Sequence, residues 1–362
     1  MKKIAMVEYQ GRCDEKQKAV GHAPKVLTEY YELIQKEYET EVFAPAVILK
    51  NLPETVNASA RELPFHIVMK GQNSFFEKIN NKLNMFRNIK QVIKTSDADI
   101  LWFFNVEYYL MLYLFLHRKP RQKVVCTLFL DGYHGGVVAK GKQWVFEKAQ
   151  KKISHIISAG RNFKFANCKS TFIPDYVCKE SVYADYRTPE KKNEVVCLGT
   201  MGKGKQLEEL ITAFGKMKYP LLVAGRFYDK AQPGKLRKMA EESGNGAIEI
   251  RDCYLSNEEY LRILGEAKYV ILPYSPSQYK TQTSGVLQEA LFLDTIPIAF
   301  RDVLEGNGVS GIALDTWEML KDELLLEGGE DIVNDNRQCR ADYEEKRIAE
   351  TYRKVMDSVL VG

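Results

Sequence analysis

The chain has 362 residues, 45% of them hydrophobic, with 52 Lys+Arg against 48 Asp+Glu for a net charge of +4. This is enough chain for two domains of ordinary size, and the apolar content and absence of low-complexity tracts exclude a disordered protein. Seven scattered cysteines without a CxxC pair argue against a disulfide scaffold or a cysteine-bound metal and fit free thiols in a reducing cytoplasm.

The opening MKKIAMVEYQ is too short in its apolar run for a signal peptide and reads as a first strand over 4–7. No stretch reaches the roughly 20 apolar residues that a membrane span needs. A polar loop (Gln10, Gly11, Arg12) leads to Gly21-His22-Ala23-Pro24 and then to a helix with Val26, Leu27, Tyr30, Tyr31, Leu33 and Ile34 near a 3.6 period. Residues 41–44 make a second strand and 67–69 a third. A long helix over 75–94 sets Phe76, Ile79, Leu83, Phe86, Ile89 and Ile93 on one face, with Lys78, Lys82, Arg87, Lys90 and Lys94 around the other. Such a helix either covers a core with its charged side in water or lies on a membrane.

Residues 100–104 form a buried strand, with Asn105 and Glu107 just beyond it. The nine residues 108–116 (YYLMLYLFL) are apolar all round, so they make a buried or monotopic helix. Strand 124–130 ends in Asp131-Gly132-Tyr133-His134-Gly135-Gly136; helix 140–152 and strands 156–159 and 171–174 follow. Residues 179–193 show no apolar period and read as a linker. A second α/β series then begins: strands 195–198, 221–224, 248–250, 269–272, 295–299 and 312–314, with helices 206–217, 234–242, 257–267 and 316–326 and a helix from Ser284-Gly285. A long polar helix over 336–359 closes the chain. Strand–helix alternation of this kind predicts an α/β protein with two Rossmann-like, doubly wound domains. The boundaries are 1–180, 194–335, and a terminal segment 336–362 crossing back to the first domain.

Most of the chemistry lies in the second series. In open α/β sheets, ligands bind at the carboxyl ends of the strands. A helix starting there at Ser284, Gly285 and Val286 turns free N–H groups and the positive end of its dipole toward a phosphate. Glu289, one turn further, is placed to meet a sugar hydroxyl. Residues 199–205 satisfy GxxxxGK after a strand, but Gln206 stands where a P-loop needs Ser or Thr for magnesium. The site therefore reads poorly as an NTPase. No HExxH, DxD or GxSxG occurs, which leaves no support for a zinc hydrolase, a DxD metal site or a serine hydrolase.

Residues 269–299 resemble the donor-binding signature of retaining GT-B glycosyltransferases, family 4 in particular, whose pattern is Glu-x7-Glu followed by a small, proline-bearing strand. Glu289, Ala290, Leu291 and Ile296-Pro297-Ile298-Ala299 match; Thr281 stands where the first Glu belongs. The resemblance implies two domains facing across a cleft and a nucleotide diphosphate-sugar donor, with no obligatory metal or other cofactor. It implies that Lys205, with Gly199, Thr200 and Lys203, neutralises the donor diphosphate, and that Glu289 holds the ribose. Arg226 closes one strand at the cleft edge, and the 251–255 loop with Tyr254, which closes the next, falls where the family holds the base through its backbone. Thr281 replaces the usual sugar contact. Asp131 or His134 occupies the place of a family His facing the donor sugar, a structural turn being the other reading. Gly21 and His22 lie where the family meets donor phosphate and acceptor, and Asn105 and Glu107 would contact acceptor.

Charge is uneven: residues 1–190 hold 29 Lys+Arg and 20 Asp+Glu, a net of +9. That excess fits an anionic partner (a membrane surface, a lipid diphosphate or a nucleic acid) or is ordinary surface asymmetry. The expectation is a cytoplasmic, peripherally membrane-bound glycosyltransferase. It would act on a glycan, lipid-linked or cell-envelope acceptor, with no nucleic acid partner. The alternatives are a nucleotide-sugar epimerase of the same fold, or a non-catalytic nucleotide-sugar binder.

Overall fold

The computed structural model describes residues 2–19, 23–68, 74–104, 106–130, 132–133, 136–161, 163–174, 179–202, 204–275, 284–326 and 329–362. The chain divides into two compact units, Met1–Pro174 with Ile348–Gly362, and Asp175–Arg347. Each is an α/β unit on its own parallel sheet.

In the first unit seven strands run in the spatial order Ala60–Leu63, Glu39–Pro45, Lys3–Val7, Ile100–Phe103, Lys123–Leu128, His155–Ser158, Ser170–Phe172. Every pair is parallel. The central strands are continuous apolar runs because helices cover both faces. The third strand of this sheet is Ala60–Leu63, not 67–69 as the apolar run predicts. Ile67–Val68 instead pairs with Arg12–Cys13 in a separate two-stranded ladder. Ala60–Leu63 is an edge strand with only Leu63 buried, so it carries no apolar run to betray it.

Helix Phe75–Thr95 forms over the predicted span, capped by Ser74 and Glu77 in a reciprocal capping box. Only the second half of the predicted apolar face reaches the core, where Ile89 is buried and Phe86 and Ile93 pack against it. Met85, Asn88, Ile89 and Val92 are buried, whereas Phe75, Phe76, Ile79 and Leu83 are exposed. The buried amide of Asn88 donates to the carbonyls of Tyr9 (2.9 Å) and Phe65 (2.7 Å), which fixes the helix rotation. Helix Glu345–Val361 carries the chain end into this unit, where Tyr352 meets Tyr30 and Trp102 at ring-centroid distances of 5.1 and 4.8 Å. The terminal stretch is not one helix from 336: Glu330–Cys339 ends at a 3₁₀ turn, Arg340–Tyr343, before the last helix starts.

The second unit's sheet has the order Ile248–Asp252, Leu221–Gly225, Lys192–Leu198, Ala267–Leu272, Ile296–Phe300, Ile312–Leu314. Counted within the unit this is 3-2-1-4-5-6, the doubly wound order. The expected linker is packed structure instead. Glu180–Ala184 is a short helix whose Tyr183 is buried against Phe292, 5.3 Å between centroids. The predicted helix over 316–326 is a 3₁₀ turn, Trp317–Met319, followed by the short helix Asp322–Leu326.

Candidate functional site

Strands Lys192–Leu198 and Ala267–Leu272 are neighbours, yet the connections leave them in opposite directions along the sheet. Their carboxyl ends are the topological switch point of the second unit, where diverging loops leave a crevice. The loop after the first of them is forced into shape by glycine. Gly199 has φ +95°, a left-handed conformation. At Gly225 (φ +150°) an added Cβ would sit 1.8 Å from the Gly199 carbonyl oxygen, so only glycine fits there. The Met201 N–H donates to the Arg226 carbonyl (2.9 Å), tying the loop to one strand end. Gln206 N–H donates to Pro273 (2.7 Å) and Ser275 N–H to Gly204 (3.1 Å), tying it to the other.

These bonds place Lys205 opposite Tyr274. The ammonium donates to the Leu198 carbonyl (3.0 Å), lies 3.6 Å from the Met201 sulfur, and stands 5.8 Å from the centre of the Tyr274 ring. No carboxylate among the described residues pairs with it. Desolvation lowers its pKa from the usual lysine value, against a smaller opposing effect of the Cys197 thiol. A cation held in this way is stabilised by any anion that reaches it.

Tyr274 connects the lysine to the next helix. Its hydroxyl lies 3.0 Å from the Ser284 hydroxyl. Ser284 is the N-cap residue of helix Gly285–Phe292, but its side chain makes no capping bond to the helix. The first amides, those of Gly285 and Val286, are therefore not served by their own cap residue. The other end of this helix is fixed by cations: Arg340 donates to Leu291 O (2.7 Å), Arg187 to Phe292 O (2.6 Å) and Lys191 to Leu293 O (2.6 Å). Positive groups at its C-terminus complement the dipole and hold the N-terminus in place.

Glu289 is buried on this helix, and its carboxylate accepts a 2.5 Å hydrogen bond from the Tyr260 hydroxyl. Lys205, Tyr274 and Ser284 thus form one connected wall. Glu289 joins it through the helix it shares with Ser284, its side chain turned toward helix Asn257–Glu266. Thr200, Arg226 and Tyr254 are exposed, and Gly285 and Val286 are half-buried. Lys203 and Thr281 lie outside the described residues.

The switch point of the first unit lies between strands Lys3–Val7 and Ile100–Phe103. Here Glu107 pairs with Arg12, and its N–H donates to the Tyr9 hydroxyl (3.2 Å). Arg12 also donates to Gln10 (2.7 Å), and buried Glu8 accepts from the N–H groups of Gln10 (2.8 Å) and Gly11 (3.1 Å). Sequence reasoning passed over Glu8 and treated Arg12 as loop. The signal was present in a polar run placed directly after the first strand. Gly21, His22, Asn105, Asp131 and His134 lie outside the described residues.

No family model matches the chain, and no curated protein matches it. Solved structures do. Sucrose-phosphate synthase from Thermosynechococcus elongatus aligns over all of both chains with a TM-score of 0.71 at 14% identity. HepE from Anabaena, in complex with UDP-glucose, aligns over 98% of this chain and 99% of its own, with a TM-score of 0.63 at 13% identity. A putative UDP-N-acetylglucosamine 2-epimerase from Listeria monocytogenes aligns over 98% of this chain and 96% of its own, with a TM-score of 0.58 at 12% identity. With its two Rossmann-like units, the chain has the GT-B fold of the glycosyltransferases among these structures.

Proposed function

We propose that the protein is a GT-B glycosyltransferase that moves a sugar from a nucleoside diphosphate-sugar to a glycan, lipid-linked or cell-envelope acceptor, with retention of configuration. The observation that carries this reading is the desolvated Lys205 ammonium, connected through Tyr274 to a helix whose cap residue leaves its first amides to other partners. An anionic diphosphate answers both needs at once. In this assignment Lys205, Lys203 and the amides of Gly285 and Val286 hold the two phosphates. Glu289 takes the ribose, and the Gly199–Thr200 turn, Arg226 and Tyr254 flank the nucleotide. That HepE has been captured with UDP-glucose adds support at the level of fold.

Transfer breaks the bond from the anomeric carbon to the β-phosphate oxygen, and the diphosphate leaves with the electron pair. The acceptor hydroxyl oxygen bonds to that carbon and its proton passes to the departing phosphate. Charge grows on the phosphate oxygen at the moment of cleavage, which is where Lys205 stabilises most. Asp131, His134 and Thr281 are assigned to the sugar side of the reaction, and Gly21, His22, Asn105 and Glu107 to acceptor. No metal is required in this scheme, so chelators leave the rate unchanged. The enzyme acts on the cytoplasmic side of the membrane. Thermal-shift screening against nucleoside diphosphates and their sugars tests the donor assignment. A ligand at 100 times its dissociation constant adds about 2.7 kcal/mol, and the absence of any shift across the panel contradicts it.

A second reading is favoured by the epimerase among the similar structures. An epimerase turns over the donor with no acceptor present. A non-catalytic binder, the reading that Thr281 favours, binds the nucleotide and turns over nothing.

A further inference from the structure

The basic excess of the N-terminal half is confined to one part of it. Residues 1–74 carry ten Lys+Arg and ten Asp+Glu; residues 75–169 carry seventeen against six, a net of +11. This same segment holds the helices Phe75–Thr95, Tyr108–Leu116 and Gly136–Gln150. They follow successive crossovers in one direction along the sheet, so right-handed connections put all three on one face. Ring contacts join them into a layer: Phe86 to Tyr113 at 5.6 Å and Phe115 to Trp144 at 5.0 Å.

The outside of this layer is apolar as well as basic. Phe75 is 71% exposed and Phe76 81%, with Ile79, Leu83, Leu116 and Trp144 also open to solvent. A helix that only covered a core would bury that stripe and leave the charges outside. Here the first two turns of Phe75–Thr95 expose aromatic and aliphatic side chains among exposed Lys78 and Lys82, and the helix is fully formed with its own cap. Exposed aromatic groups interleaved with lysine match the two demands of an anionic bilayer surface: apolar groups for the headgroup–acyl boundary, cations for the headgroups. A nucleic acid would use the charge and leave Phe75 and Phe76 in water.

We infer that the three-helix layer of the first unit docks on an anionic lipid surface, through Phe75 and Phe76 as the inserted groups and Lys78 and Lys82 as headgroup contacts. Parallel βα connectivity puts Phe75 and Phe76 at the carboxyl-edge end of that unit, the edge that also carries Glu107. Docking there brings the acceptor-side residues to the membrane. The inference deepens the acceptor part of the proposed function but is read without any donor, so one can fail while the other stands.

The test is vesicle flotation of the full chain, with vesicles of phosphatidylcholine alone and with about one part in three phosphatidylglycerol. Binding is expected on the anionic vesicles, weak on the neutral ones, and reduced by high salt. Lys78→Gln with Lys82→Gln lowers the anionic partition coefficient about 25-fold, roughly fivefold for each charge. Phe75→Ser with Phe76→Ser lowers it on both vesicle types while the melting temperature is unchanged, since neither ring is buried. Equal binding to both vesicle types, no binding to either, or wild-type binding by the Phe pair would overturn the inference. So would retention on DNA stronger than on anionic vesicles.

Discussion

Replacing Lys205 with Met separates what this residue does for folding from what it does for binding. In the free protein its ammonium has one oxygen acceptor among the described residues, the Leu198 carbonyl at 3.0 Å, with the Met201 sulfur a weak second acceptor at 3.6 Å. Losing the bond to the carbonyl costs about 1 kcal/mol. Removing a desolvated cation returns a similar amount, and the aliphatic stem is kept by Met. The free variant should therefore unfold within about 1 kcal/mol of the wild type. Nucleoside diphosphate binding should behave differently, because a charge-assisted hydrogen bond to phosphate is worth about 1–3 kcal/mol. That range corresponds to a dissociation constant raised roughly 5- to 150-fold. Calorimetric titration with a nucleoside diphosphate reads the second quantity and denaturant unfolding the first. A variant that binds as the wild type does, or one that loses about 3 kcal/mol of stability without ligand, would refute the reasoning.

The remaining predictions concern the supports of the site. Tyr260→Phe removes the donor to Glu289, and nucleotide-sugar affinity should fall by about 1.5 kcal/mol with the melting temperature shifted by only a few degrees; unchanged affinity would sever Tyr260 from the site. Gly225→Ala places a methyl group on the Gly199 carbonyl and should cost about 3 kcal/mol or more in a urea titration, whereas a neutral result would mean the loop turns differently. Burial pulls the Lys191 pKa down to about 8, below the roughly 10.4 of an unfolded chain. Between those values the unfolded state binds more protons, so this group makes stability rise with pH from about 8 to 10.4. Lys191→Met should flatten that rise, and an identical pH profile for the two proteins would contradict it.

The βαβ unit from Ala267 to Phe300 was legible because its signals are local. Two buried parallel strands read as apolar runs, and Ser284-Gly285 opens a helix at the position where it is seen. What escaped the sequence depends on distant partners. Strand Ala60–Leu63 has one buried residue and owes its place to pairing with Glu39–Pro45. The rotation of helix Phe75–Thr95 is set by Asn88 reaching two carbonyls, one of them 79 residues away; the apolar stripe located Phe86, Ile89 and Ile93 at the core but not the exposure of its first two turns. The long terminal helix is interrupted at Arg340, whose guanidinium is drawn to Asp294 and to the Leu291 carbonyl. Tyr260 and Glu289 are separated by 29 residues, and no spacing rule links them. The glycine loop shows both sides. Its position was readable from Gly199 and Lys205, but the contact of Gly199 with Gly225 is tertiary.

A crystal structure with a nucleoside diphosphate bound tests the central claim most directly. The account predicts the phosphates within hydrogen-bond distance of the Lys205 Nζ and of the Gly285 and Val286 amides, with the ribose hydroxyls on Glu289. A diphosphate seated away from Lys205 and the start of helix Gly285–Phe292 would contradict it.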